Sequence, residues 1–377
     1  MRTPTKIQEL LQYKNAWWDY YQTYKDIIRT EVVETIVKML SCGIRARGFH
    51  HYSCSNPKCL HSKNVTHSCS CRYCQTCGVK PTNDWINEQL ETLPNCDWQH
   101  ITLTMPDTLW PLFKDWKLLN KLPKIAGDIF NEIAKKQKGI RIGMFMAIHT
   151  FGRALNWNTH LHMSVTMGGI NDKNVWKKIR FVKKVIMPMW RYRVLNLLRE
   201  HLTQTEIDEQ FNKQWVIHFA EPTNNPKNTI AYLGRYIRRP PISMSRLKHY
   251  DGKEVTFRYL DHKISKFKNE TLDMNDFLDR FTQHIPPKGF RLIRYFGFLA
   301  NCVRGKLLPK IYQIFKQDPK ATTKTKWAEL YKKSFTVDPL ECILCGSQLL
   351  LTGTVIGLSS KDFMNHHEHL AKRKRII

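Results

Sequence analysis

Apolar residues recur at helical spacing through the first forty positions: Ile7, Leu10 and Leu11, then Ile27, Ile28, Val32, Val33 and Ile36. This predicts helices over residues 5–41. From 42 to 79 the aliphatics thin out, and KPTNDWINEQLETL at 80–93 restarts a helix with Thr82, Asn83 or Asp84 available as caps. HITLTMP at 100–106 alternates as a strand does and stops at Pro106. Residues 107–137 predict two helices around a break at Lys121–Pro123. Residues 142–169 predict a β-hairpin with its loop near Arg153–Asn158 and a turn at Gly168 and Gly169. A helical stretch to about residue 205 follows, then a strand at 214–222 and a helix at 226–241, entered at Pro226 and ended by Pro240 and Pro241. EVTFRYLD at 254–261 is a strand, 273–284 a helix, and basic helices follow residue 285.

A few strands in hairpin order among helices predict an α+β fold. Three regions are expected: an N-terminal helical and cysteine-rich domain at 1–93, a sheet domain at 94–285, and a basic C-terminal region at 286–377. Repeats and low-complexity segments are absent from the sequence.

The charge narrows the function. Sixty Lys and Arg stand against 32 acids, a net charge of +28, on a chain that is 42% hydrophobic and 11% aromatic. A small neutral substrate needs no such charge, whereas a phosphate backbone does. Basic residues interleaved with aromatics along the whole chain suit a folded nucleic-acid binder rather than a basic tail. The N-terminus MRTPTKIQELLQYK mixes charged and apolar residues, so no leader is expected, and no apolar run is long enough for a membrane span. The expected compartment is the cytoplasm, and no membrane partner is implied.

Seven of the eleven cysteines lie at 42–79. Cys54-x4-Cys59 and Cys74-x2-Cys77 have the spacing of two halves of a zinc ribbon, each short pair supplying one side of a tetrahedron. Cys69, Cys71, His61 and His67 lie within the span and could substitute or add a ligand. A second pair, Cys342-x2-Cys345, has His366, His367 and His369 as possible partners, although NHHEH also reads as a tail.

His160 and His162 share one face of a strand, with Leu161 and Met163 on the other. Alone the pair is weak evidence for a metal. Tyr232 and Tyr236, one helical turn apart among Arg235, Arg238 and Arg239, change its meaning. A tyrosine hydroxyl, with a pKa near 10, can attack a phosphodiester if a divalent cation offsets the developing charge. Two histidines and one further polar ligand would hold that cation. His100 is a candidate for the third place, as is an acid or Gln elsewhere.

With HLHMSVTMGG, YLGRYIRRPPISMSRL, VTFRYLD, FTQHIPPKGFRLIRYFG and DPLECILCG in this order after SCSCRYCQTCG, the chain resembles the two-tyrosine rolling-circle transposases of bacterial insertion sequences, in the HUH endonuclease superfamily. Leu161 fills the apolar place between the two histidines. The resemblance covers most of the chain. It implies an HUH-type antiparallel sheet flanked by helices, preceded by a small helical zinc-ribbon module and followed by a basic helical region. It implies Mg2+ or Mn2+ at His160 and His162, structural zinc at Cys54, Cys59, Cys74 and Cys77, and Tyr232 and Tyr236 as nucleophiles. Single-stranded DNA at the element's ends is the implied partner, in the bacterial nucleoid, contacted by Arg235, Arg238, Arg239, Arg291 and Arg294. Relatives often carry Asn where Cys71 stands. Two other readings share part of this pattern: a non-catalytic zinc-dependent DNA-binding protein, and a relaxase or replication initiator with the same chemistry.

Overall fold

The amphipathic pattern of the N-terminal segment closes a helical bundle. The computed structural model describes residues 5–225, 227, 230, 231, 233, 234, 240–261, 264–319 and 326–372. Helix α1 (Lys6–Gln12) opens on a capping box between Thr5 and Gln8. With α2 (Ala16–Tyr24) and α3 (Thr30–Leu40) it buries Leu10, Trp17, Ile36 and Val37. Strands β1 (Gly48–Cys54) and β2 (Ser62–Thr66) pair antiparallel before α4 (Val79–Thr92). None of the expected caps starts α4. The chain leaves the Cys74–Cys77 turn already coiling, with Gly78 N–H on Cys74 O at 3.0 Å, and Thr82 lies inside the helix, donating its hydroxyl to Gly78 O at 2.7 Å.

The alternating segments build the central sheet. Its strands are β3 (Trp98–Leu103), β4 (Arg141–Phe151), β5 (Trp157–Ile170), the short β6 (Trp176–Lys178) and β7 (Ile217–Phe219). After β8 (Leu247–Tyr250), β9 (Glu254–Asp261) and β10 (Lys266–Asp273), which form a separate antiparallel sheet, β11 (Ile293–Gly297) joins the central one. Among the described residues the order is β11-β4-β5-β3-β7, with β6 on β5.

One face of this sheet carries Ile101, Leu103, Met144, Met146, Ile148, Leu161, Met163 and Val165. It is covered by α6 (Leu122–Lys138) and α7 (Lys183–Leu197) through Ile129, Phe130, Ile186 and Trp190. Each such side chain removed from water contributes roughly 1.5–3 kcal/mol before entropic costs. The opposite face carries Trp98, Phe145 and Ala147, packed against Trp85 of α4 and against Ile230 and Leu233. Burial on both faces explains why β4 reads as an almost unbroken apolar run.

Several expectations are corrected. Residues 107–114 form a 3-10 segment containing Pro111, followed by the one-turn α5 (Trp116–Leu119) and then α6, because Pro111 cannot donate to a helical ladder. The stretch expected to be helical to 205 holds β6 and α7, and a capping box at Thr203–Glu206 starts α8 (Gln204–Asn212). Gly168 and Gly169 do not turn the chain. They lie within β5, opposite Lys178 and Lys177 of β6, where Cβ atoms would meet Trp176 Nε1 at 2.5 Å and Arg141 O at 2.4 Å.

The helix expected at 273–284 is α9 (Met274–Thr282), capped by Asp273. Beyond it the C-terminal region is not purely helical. Besides β11, α10 (Arg304–Ile314) and α11 (Trp327–Phe335), it holds β12 (Leu349–Ile356), which pairs antiparallel with β1. NHHEH is no loose tail: α12 (Ser360–Asn365) and α13 (His367–Ala371) pack on the N-terminal bundle, where Trp17 Nε1 donates to His367 Nε2 at 2.6 Å. Among the described residues no helix is long and apolar enough to cross a membrane.

Candidate functional site

The face of the central sheet opposite α6 holds a cluster of imidazoles. His160 and His162 stand on β5, and antiparallel pairing sets His149 of β4 directly opposite His160. One ring nitrogen from each of the three lies within 4.8 Å of the others. Ring centroids are 5.1 Å apart for His149–His160, 4.3 Å for His149–His162 and 4.9 Å for His160–His162. His149 and His162 are buried and His160 is partly exposed, so the cluster has an open side.

Hydrogen bonds fix the rings. His160 Nδ1 lies 2.9 Å from Asn158 O and 3.1 Å from Asn158 Oδ1, so it carries the proton and directs Nε2 away from Asn158. His162 Nδ1 lies 3.1 Å from His100 Nε2 and 3.3 Å from Thr102 Oγ1. His100, the residue expected for the third ligand place, thus sits behind His162 and is not in the donor set; His149 is. Burial pushes His160 down to about 4 and His100 down to about 4, and burial with mutual repulsion holds His149 and His162 well below the ordinary histidine value. All are neutral near pH 7, the form that donates a lone pair to a metal. The set is all nitrogen, a donor type that suits transition-metal ions better than Mg2+.

Tyr232, Tyr236, Arg235, Arg238 and Arg239 lie outside the described residues. Their described neighbours 230, 231, 233 and 234 are helical. Ile230 and Leu233 are buried in one cluster with Phe145 and Ala147, which precede His149 by four and two residues on the same face of β4. Gly234 approaches α4 so closely that a Cβ would meet Ile86 Cγ1 at 2.5 Å. Arg291 is exposed. Arg294 is on β11 opposite Met146, whose side chain belongs to the other core, so it emerges on the face away from the histidines. It donates to Arg291 O at 3.0 Å and to Asn120 Oδ1.

The expected zinc set is divided by the structure. Cys74 and Cys77 meet Cys42 and Cys69, whereas Cys54 and Cys59 meet Cys342 and Cys345. The reason is β1–β2 pairing, which carries Cys54 and Cys59 to the far end of a hairpin. In the first set the Sγ separations are 3.4 Å for Cys42–Cys77, 3.6 Å for Cys69–Cys77 and 3.7 Å for Cys42–Cys74. A tetrahedral zinc with bonds near 2.3 Å places its sulfurs about 3.8 Å apart, so the donor set fits. Cys71 stays out of the set, and its backbone N–H donates to Cys69 Sγ at 3.4 Å. His67 Nδ1 faces Arg47 O. Cys42 was not singled out by the sequence because it follows α3, far from the dense cysteine run; His149 was legible only through the hairpin register.

Two stretches of the chain match known families. Residues 143–306 match a family described as "Putative transposase", and residues 12–105 match the "Transposase zinc-binding domain". The chain is 40% identical to the "Transposase for insertion sequence element IS801" of Pseudomonas savastanoi pv. phaseolicola, over 99% of this chain and 96% of that protein. It is 26% identical to "Putative transposase y4qJ" of Sinorhizobium fredii, over 78% of this chain and 81% of that protein. No solved structure matches the chain. The zinc-binding domain together with the clustered cysteines supports structural zinc.

Proposed function

The chain belongs to the IS91/IS801 family of insertion-sequence transposases, and on that premise we propose that it cuts and rejoins single-stranded DNA through a 5′-phosphotyrosine. The observation that carries this reading is the three-imidazole cluster on the sheet face against which Ile230 and Leu233, neighbours of position 232, are packed. A pure DNA-binding protein has no use for such a cluster.

In this reading one ring nitrogen each of His149, His160 and His162 would hold a divalent cation, Mn2+ or Mg2+, which would supply charge neutralisation at the scissile phosphate. The hydroxyl of Tyr232 or Tyr236 attacks phosphorus. The bond to the 3′ oxygen breaks, that oxygen takes up a proton in place of the one the tyrosine loses, and a free 3′-OH remains. Phosphodiester energy is conserved in the phosphotyrosine, so no nucleotide cofactor is required. Two tyrosines permit two strand transfers in succession. Asn158 and His100 act as positioning residues that hold the imidazoles of His160 and His162. Arg235, Arg238 and Arg239 neutralise the phosphates beside the tyrosines, and exposed Arg291 extends the contact. Cys42, Cys69, Cys74 and Cys77 hold a structural zinc that fixes the start of α4, which Gly234 closely approaches. The protein works where bacterial DNA lies, in the cytoplasm and nucleoid.

The test is a covalent-adduct assay on labelled single-stranded oligonucleotides from the element's ends. Wild-type protein is expected to form a DNA adduct with Mn2+, at lower metal concentration than with Mg2+, and none after chelation. Tyr232→Phe/Tyr236→Phe is expected to form none. An adduct that survives in that variant overturns the assignment of the nucleophiles.

A further inference from the structure

Cys342 and Cys345 lie beyond both matched family segments, 12–105 and 143–306. The fold nevertheless carries them to Cys54 and Cys59. β1 pairs with β12 so that Cys54 stands opposite Leu349, and the chain just before Leu349 turns back through Cys342–Cys345. The turn is tight: Leu349 N–H donates to Leu340 O at 2.7 Å, Cys342 N–H to Ser347 O at 2.7 Å and Gly346 N–H to Cys342 O at 2.9 Å. Gly346 adopts φ +71°, the left-handed conformation that such a turn requires.

Four sulfurs converge there within 4.8 Å. Cys54 and Cys345 are 3.4 Å apart and Cys59 and Cys342 are 3.8 Å apart. A disulfide needs about 2.05 Å, whereas the edge of a zinc tetrathiolate is about 3.8 Å. His61 Nδ1, 3.1 Å from Cys342 Sγ, is placed to donate to a thiolate from outside the tetrahedron. Packing does not explain the convergence. The local core among the described residues buries Tyr52, Cys342 and Leu349, while Ile343 is 84% and Leu344 71% exposed at the tip of the turn. A cluster that small does not hold a loop by burial, and a metal is the usual substitute.

We propose that Cys54, Cys59, Cys342 and Cys345 form a second structural zinc site, a tetrathiolate clasp that ties the β1–β2 hairpin to the C-terminal segment. It is independent of the Cys42 site and of DNA cleavage. Binding exchanges four thiol protons for one Zn2+, with no change of oxidation state.

The experiment measures zinc by mass spectrometry in the full chain, purified under reducing conditions and washed with mild chelator. His160→Ala/His162→Ala serves as the background so that the imidazole cluster cannot contribute. Two zinc ions per chain are expected, falling to one on adding Cys342→Ser/Cys345→Ser. One zinc in the parent, or two in the added variant, overturns the proposal. Should the added variant not fold, Co2+ loading of the parent decides: the thiolate-to-cobalt band is expected to saturate at two equivalents, and saturation at one overturns it. Thiol titration of the denatured, metal-free chain is expected to find all eleven cysteines reduced; four fewer would mean two disulfides in place of the clasp.

Discussion

At the scale of single residues, hydrogen bonding decides which nitrogen each histidine offers. His100 is the informative case, because its Nε2 faces His162 Nδ1 rather than the open side of the cluster. Substituting it leaves the donor set complete but releases one ring. His100→Phe is therefore expected to weaken Mn2+ binding by about 10- to 100-fold while adduct formation recovers at saturating Mn2+. His149→Ala removes a donor and is expected not to recover; both are read from adduct yield against metal concentration. His284 sets a different dependence. It is buried, its Nδ1 lies 3.1 Å from Thr150 Oγ1, its Nε2 lies 3.0 Å from Leu155 O, and burial pushes its pKa down to about 4 with Lys114 adding repulsion. Because the folded value is depressed, the unfolded chain binds a proton first as pH falls below about 6.5. The contribution of His284 is present above that pH and is lost toward pH 4, on the order of 3 kcal/mol. His284→Gln is expected to be less stable at neutral pH and to show a shallower decline of the urea midpoint between pH 6.5 and pH 4.

At the scale of elements, register is what turns two strands into a site. β4 and β5 pair so that His149 meets His160 and Ala147 meets His162, and a slip of one residue would send both β5 histidines to the wrong face. Gly169 helps to set that register. It pairs with Ile142 beside an irregularity in the ladder, and a Cβ there would sit 2.4 Å from Arg141 O, a backbone atom that cannot swing aside. Gly169→Ala is expected to cost about 1–3 kcal/mol in urea unfolding and to reduce adduct yield although no site residue is altered. The same logic explains why some elements were legible and others not. HITLTMP at 100–106 and EVTFRYLD at 254–261 were readable from alternation, and the 142–169 strands from apolar runs that burial on both faces demands. β12 was not: most of LLLTGTVI is exposed, and it is a strand because β1 offers it an edge.

At the scale of the whole molecule, the two ends of the chain belong together. β12 completes the sheet begun by β1, and α13 brings His367 against Trp17, Trp18 and Tyr21. The zinc-binding region is thus finished by residues nearly three hundred positions later. Charge acts at this scale as well. A net charge of +28 displaces counterions over many phosphates at once. Affinity for a single-stranded oligonucleotide is expected to fall linearly with salt on logarithmic axes, by roughly 10³-fold or more between 50 and 200 mM if six to ten phosphates are contacted. Fluorescence anisotropy across a salt series measures it, and a flat response would exclude backbone contacts as the source of affinity.

The sequence by itself determined the α+β class, the antiparallel hairpin, the shared face of His160 and His162, and a polyanionic partner. These depend on periodicity and composition, which are local or additive properties of the chain. Tertiary structure alone decided that His149 completes the imidazole cluster, that His100 stands behind it, and that the cysteines divide into Cys42, Cys69, Cys74 and Cys77 on one side and Cys54, Cys59, Cys342 and Cys345 on the other. Those groupings follow from strand register and from the pairing of β1 with β12, contacts between distant positions that no spacing along the chain encodes.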